Sequence, residues 1–327
     1  MKKSSKRKSN LKSSLLLLLL LAILLISSSY AWFTANQTVT VNTLNVNVQA
    51  SNGLQISADG TTWKAVLSNS DLTTGYATAV NQIPTELAPV STTGIVTNGK
   101  MDMFYGTVEA NAAGTYMLTA TQETDKHGAS GRYIAFDLFL KVDKETQIYM
   151  TTGSKVEYAG ETDQGLQNAA RVAFVNEGTK AASSAVADIQ AMSLTSGTAM
   201  IWEPNYDTHT ANGLAAARDI YGKTITKTTG EAQQPYYGIK KAIPDTANIT
   251  MIQTATPSAD YFSSVSPTYK TISGHTDSPA FLKLTAGVTK LRVYMWIEGQ
   301  DVDCENNASG TNINFDLQFT ATPPQGN

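Results

Sequence analysis

Few residues of this chain have the types and spacing that chemistry needs. Three histidines occur, His127, His209 and His275, each in a separate polar stretch. No His-Glu-x-x-His pair is present, so the sequence offers no paired imidazoles for a metallopeptidase zinc. The three are therefore expected as exposed loop histidines. No Gly-x-Ser-x-Gly elbow, phosphate-binding loop or dinucleotide fingerprint occurs either. The single cysteine, Cys304, stands between Asp303 and Glu305. Neighbouring acids raise a thiol's pKa, the wrong direction for a nucleophile, so an inert or buried thiol is expected. The residues read as those of a protein that is not an enzyme.

One stretch does have ligand character. EGQDVDCENNASG, from Glu298 to Gly310, crowds carboxylates and side-chain amides into one loop. Hard oxygens at alternate positions suit Ca²⁺, which takes about 6–8 of them. Asp301, Asp303 and Glu305 are the candidate calcium ligands, and calcium is the sole cofactor the sequence suggests. The EF-hand order fails, because no glycine follows at the sixth position. The plainer reading is a solvated acidic turn between two strands.

The tryptophans, Trp32, Trp63, Trp202 and Trp296, raise the question of sugar stacking. Trp296 lies in an alternating run, with Met295 and Ile297 pointing the other way. Packing in the core or on a second sheet face is expected there. Trp32 is different, because it follows a leader.

That leader is the opening segment. Residues 1–12 carry six bases, and Leu15 to Ile26 form an apolar run of 12 residues. A spanning helix needs about 20 residues, whereas a signal core needs about 7–15. Ser29-Tyr30-Ala31 places small residues at the −3 and −1 positions of a cleavage site. Residues 1–31 are expected to be a signal peptide cut after Ala31, and the chain to be secreted or held at the cell surface. The alternative is an uncleaved anchor, which would be its one link to a membrane. A type IV prepilin arrangement needs a glycine or alanine ahead of the apolar run and an acid near its start, and neither is there.

After Trp32 the period changes. In TVTVNTLNVNVQA the apolar residues are Val39, Val41, Leu44, Val46 and Val48. Alternation holds to Val41, slips at Asn42-Thr43 and resumes at Leu44. One extra residue in a strand run predicts a bulge or a bend. The segment SSSYAWFTAN, directly after the apolar run and ahead of a long β-rich stretch, resembles the junction of the TasA/camelysin family of secreted biofilm-matrix fibre proteins. The resemblance covers residues 15–60. It implies a small-residue, aromatic junction handled by a dedicated signal peptidase, and a fibre-forming subunit of an extracellular matrix.

The body reads as β throughout much of its length. Gly53–Val66 reads as a hairpin turning at Asp59-Gly60, and strands are expected near Met103–Val108 and Tyr116–Thr121. Arg132–Thr151 reads as a further hairpin, with Ile134, Phe136, Leu138 and Leu140 on one face and a turn at Asp143-Lys144-Glu145. Residues 152–280 mix short helical stretches, such as SAVADIQAM and GLAAARDIYG, with strands. TAMIWEPN is expected to partner Val172–Val175. The C-terminal part returns to clear alternation, with Leu291, Val293, Met295 and Ile297, then Ile313, Phe315, Leu317 and Phe319. Strands at both ends and in the middle predict an all-β fold: one β-sandwich domain over 32–327, jelly-roll-like, with a mixed α/β insertion at about 152–280.

Charge narrows the function. The formal net charge is −3, but beyond the six bases of the leader 18 bases face 27 acids, a net of −9. A chain that acidic has no electrostatic reason to bind nucleic acid. The expectation is a structural subunit of the cell surface or matrix that associates with itself. The aromatic tip Trp32-Phe33 and the strand Val39, Val41, Leu44, Val46, Val48 would pair with a neighbour's sheet by donor-strand exchange. The alternative is a surface module that binds glycans or other ligands through its long polar loops.

Overall fold

The computed structural model describes residues 38–49, 53–110, 116–160, 163–219, 236–249, 258–271, 280–304 and 310–323. The leader, Ala31, Trp32, Phe33 and Glu305 lie outside them. Among the described residues no helix is long and apolar enough to cross a membrane.

In chain order the strands of the first half are β1 (Val39–Gln49), β2 (Gln55–Ser57), β3 (Val66–Leu67), β4 (Glu86–Leu87), β5 (Ile95–Thr97), β6 (Lys100–Met101), β7 (Met103–Ala110), β8 (Tyr116–Glu123), β9 (Ile134–Val142) and β10 (Thr146–Met150). The second half holds β11 (Lys155–Tyr158), β12 (Ala170–Lys180), β13 (Ser196–Thr198), β14 (Met200–Glu203), β15 (Tyr236–Ile239), β16 (Phe262–Val265), β17 (Tyr269–Lys270), β18 (Ala280–Leu284), β19 (Gly287–Ile297) and β20 (Thr311–Thr320). Among the described residues three short α-helices interrupt them: α1 (Asn69–Thr74), α2 (Val186–Gln190) and α3 (Ala211–Asp219).

Two sheets make the sandwich. The first runs β18-β10-β20-β1-β3, with β11 also on β20 and β4 also on β1. The second runs β17-β14-β12-β19-β9-β2. The alternating apolar residues of both sheets face one another. Leu44, Val46, Phe315 and Leu317 from the first meet Phe136, Leu138, Phe174 and Val293 from the second, all buried. The all-β sandwich expected from the sequence is the fold.

The outer face of the second sheet is covered as well. Tyr133, Ala135, Ala173, Val175, Tyr294 and Trp296 pack there against Val90, Met103, Ile201 and Tyr236. Every residue of β19 is consequently buried. Trp296 is in this second layer, as its alternation implied, and its indole Nε1 donates to Glu298 Oε2 at 3.1 Å.

Several local expectations hold. The Gly53–Val66 turn closes through Ile56 and Lys64, which exchange backbone bonds of 3.0 and 2.8 Å, with Gly60 at φ +74°. β7 pairs antiparallel with β8, and Val172 opposes Trp202 in the β12–β14 pair. Two expectations need correction. β9 and β10 do not pair: β9 belongs to the second sheet and β10 to the first, so Asp143-Lys144-Glu145 carries the chain across the sandwich. Alternation is identical whether two successive strands pair side by side or face each other, so the period cannot distinguish them. The stretch 152–280 holds α2 and α3, but β11, β12, β14, β17 and the start of β18 are members of the two main sheets. The inserted material is therefore narrower than that span.

Candidate functional site: the first strand and a buried carboxylate centre

β1 enters the first sheet between β20 on one side and the two-residue strands β3 and β4 on the other. It runs parallel to β20 from Val39↔Thr311 to Gln49↔Thr320. The first and last described strands are thus neighbours, in a parallel pair that an all-antiparallel jelly roll lacks. The register shifts between Val41 and Thr43, leaving Asn42 as the extra residue. This is the bulge that the broken alternation predicts. The bulge lets both halves of the strand face inward: Val39, Leu44, Val46 and Val48 are buried and Val41 is half-buried.

The acidic stretch after β19 is not a solvated turn. Glu298, Asp301 and Asp303 are buried. Each is held by a strand or loop that sequence reasoning did not connect to it. Arg171, on β12 and fully buried, donates from Nη2 to Asp301 Oδ2 at 2.5 Å and lies 2.8 Å from Glu203 Oε1 on β14. The Asp303 amide donates to Asp301 Oδ1 at 2.9 Å. Asp303 Oδ1 accepts from the Thr210 amide at 2.7 Å and its hydroxyl at 2.9 Å. Asp303 Oδ2 lies 2.7 Å from His209 Nδ1. His209 is therefore half-buried beside a carboxylate rather than exposed in a loop, whereas His127 is exposed as expected.

Burial sets the electrostatics here. It pushes the Glu298 carboxyl up to about 8, with hydrogen bonds from Ser91 and Trp296 opposing. It pushes Glu203 up to about 7 against the pull of Arg171. Asp303 also moves up through burial, countered by its bond to His209. Burial disfavours the charge on Arg171, but Glu203 and Asp301 outweigh it and drive its pKa upward. These are the responses of acids taken out of water and given one shared cation.

Could this centre hold a metal? His209, Asp301 and Asp303 each offer a ligand atom, all within 4.8 Å of one another. Two of the three candidate calcium ligands are thus adjacent, and an imidazole joins them. Yet all four oxygens of Asp301 and Asp303 already accept from donors of the chain. A calcium ion here would sit against the Arg171 guanidinium, whose positive charge opposes it. The arrangement suits a polar lock that fixes the β19–β20 connection to β12, β14 and the 209–210 segment. Cys304, beside it, is buried, in keeping with an inert thiol.

No family model, no curated protein and no solved structure matches this chain.

Proposed function

We propose that this protein is an exported structural subunit of the cell surface or extracellular matrix, and that copies join by exchanging β1. The placement of β1 carries the reading. A strand at the N-terminal end of the described chain makes a ten-residue ladder with β20 and covers the core with four buried side chains. On its other edge, among the described residues, it meets only two short segments, Ala65–Leu67 and Thr85–Leu87. Supplied by a neighbour, the same strand would make the same hydrogen bonds and fill the same groove between copies. The resemblance of the Ser27–Asn36 junction to that of the TasA/camelysin matrix proteins supports the same reading, as does the acidic, disulfide-free composition.

A cross-link tests it without truncating the fold. Asn45 and Asp316 face each other across β1 and β20, with Asn45 Nδ2 donating to Asp316 Oδ1 at 3.2 Å. The double variant Asn45→Cys, Asp316→Cys, oxidised after assembly, should give covalent ladders on a denaturing gel and filaments by electron microscopy. Filaments that dissolve into internally cross-linked monomers would show that β1 stays in its own sandwich and that another surface joins the copies.

A further inference from the structure

The first sheet turns one face to the core and the other outward. On β20 the outward residues are Asn312, Asn314, Asp316 and Gln318, which alternate with the buried Ile313, Phe315, Leu317 and Phe319. On β1 Thr40, Asn45 and Asn47 stand opposite Asn312, Asp316 and Gln318 in the parallel register, and Asn42 donates to Asn314 Oδ1 at 3.2 Å. The second sheet has an apolar layer over its outer face, but none of the buried clusters outside the core includes a residue of β1 or β20. We propose that this uncovered face binds a neutral polysaccharide laid along the two strands. The face has the same residues whether β1 comes from its own chain or from a neighbour, so the proposal does not rest on strand exchange.

The choice of residue runs against the local structure. Asparagine is depleted in strands, yet five of them, Asn42, Asn45, Asn47, Asn312 and Asn314, occupy two adjacent inner strands. None of the five contributes to the buried core. Threonine would face water there at no cost in strand propensity. A local preference broken without a gain in packing marks a site used for something else.

Amides suit hydroxyls, because each has two donors and an acceptor and so meets either end of an O–H group. Part of this capacity is used within the sheet. Asn42 bonds Asn314 Oδ1, and the Thr151 hydroxyl donates to Gln318 Oε1 at 3.3 Å. The amide nitrogens of Asn314 and Gln318 stay uncommitted among the described residues, and the side chains of Asn47 and Asn312 make no hydrogen bond to any of them. At about 3.3 Å per residue, Asn312 to Gln318 spans roughly 20 Å, a length for several sugar rings rather than one.

What the face lacks excludes other partners. β1 and β20 carry one charged residue between them, Asp316. Asn45 Nδ2 donates to it at 3.2 Å, and Lys155 opposes it from β11. Lys155 in turn lies 2.7 Å from Glu157. An acidic polymer finds no run of cations here, and a basic one finds no run of acids. Apolar surface is confined to two separate spots, Val66, 55% exposed opposite Asn47, and the half-buried Tyr149 opposite Thr320. A protein partner needs a continuous apolar or aromatic centre. A sugar chain needs only small patches for the C–H faces of its rings, set among groups that bond its hydroxyls.

Affinity electrophoresis of the full chain in native gels tests this. The probes are hydroxyethylcellulose, glucomannan and pullulan as neutral polymers and alginate as an acidic one. Retardation is expected with at least one neutral polymer and not with alginate. The double variant Asn47→Ala, Gln318→Ala should raise the dissociation constant about tenfold, the worth of two ordinary hydrogen bonds, while its melting curve confirms an intact fold. Lack of retardation by all three neutral polymers, stronger retardation by alginate, or undiminished retardation of the double variant would each overturn the assignment. So would sedimentation showing that the face joins two copies without polymer and that the double variant separates them.

Discussion

Arg171 Nη2 lies 2.5 Å from Asp301 Oδ2, and both side chains are almost wholly out of water. One stands on β12 and the other in the turn after β19, 130 residues further along the chain. Their contact ties the acidic connection to the middle of the second sheet, with Glu203 of β14 as third member at 2.8 Å from the same nitrogen. Such a pair adds little net stability over an apolar substitute, but removing one partner leaves a bare buried charge. Arg171→Met should therefore cost about 3–5 kcal/mol in urea denaturation. The triple variant with Glu203→Gln and Asp301→Asn should recover much of that loss. An Arg171→Met midpoint equal to that of the parent would mean that the two acids do not depend on the guanidinium.

The same centre makes stability depend on pH. Glu203 and Glu298 have ordinary carboxyl values of 4.5 when free of the fold, and about 7 and about 8 within it. Between those limits the folded state holds more protons than the unfolded one. Raising the pH through that window therefore removes stability, by up to about 1.4 kcal/mol per pH unit for each group, with the loss complete above pH 8. Asp137 and Asp71 act oppositely. Burial raises Asp137, but Arg292 and Lys290 outweigh it and bring it below 3.8; the hydrogen bond from Lys64 does the same for Asp71. Their contribution is present above that value and fades as the pH falls through their folded pKa. Unfolding free energy measured from pH 5 to 8 should decline, and Glu298→Gln should flatten the slope. A parent profile that rises across this range would contradict the assignment.

Calcium should do little. A cage for this ion needs about 6–8 oxygens, and those of Asp301 and Asp303 are occupied by Arg171, His209, Thr210 and the Asp303 amide. Millimolar calcium, or a chelator, is expected to leave the melting temperature of the purified chain unchanged. A clear rise with calcium that Asp303→Asn abolishes would restore the ion-binding reading of this loop.

The inner faces were legible because alternation is a direct record of burial on one side. Ile313, Phe315, Leu317 and Phe319 all lie in the core, and so do the apolar residues of β9 and β19. The burial of the charged residues on the outer face of the second sheet was not legible, for the same reason. Arg171, Glu177, Lys290, Arg292 and Glu298 alternate with apolar residues just as solvent-facing charges do, yet a second layer of loops and short strands covers them. Nothing in a strand's own pattern tells a charge facing water from one facing a partner 130 residues away. The pairing of His209 with Asp303 and the crossing from β9 to β10 between sheets escaped for this reason too. Both are set by tertiary placement, not by period.

β1 offers a sharper test of how pattern becomes structure. Its ladder with β20 passes from Val41↔Ile313 directly to Thr43↔Asn314, so Asn42 has no partner in the register. Its side-chain amide makes one exposed bond, to Asn314 Oδ1 at 3.2 Å. Deleting Asn42 joins VTV to TLNVNVQ in unbroken alternation and leaves every cross-strand pair in place. The deletion should change stability by only about 1 kcal/mol, the scale of a few exposed contacts. Deleting Asn45 instead should be severe. It turns Val46 and Val48 to the outer face while Leu44 stays inside, or the reverse, because one residue flips the parity of a strand. Each buried aliphatic side chain lost to water costs about 1.5–3 kcal/mol, enough in combination to unfold a domain of ordinary stability, about 5–15 kcal/mol. Urea melts of the two deletion variants, run beside the parent, decide the matter. Equal losses for both would mean that the bulge at Asn42 is not what keeps Val39 and Leu44 on the same side of the sheet.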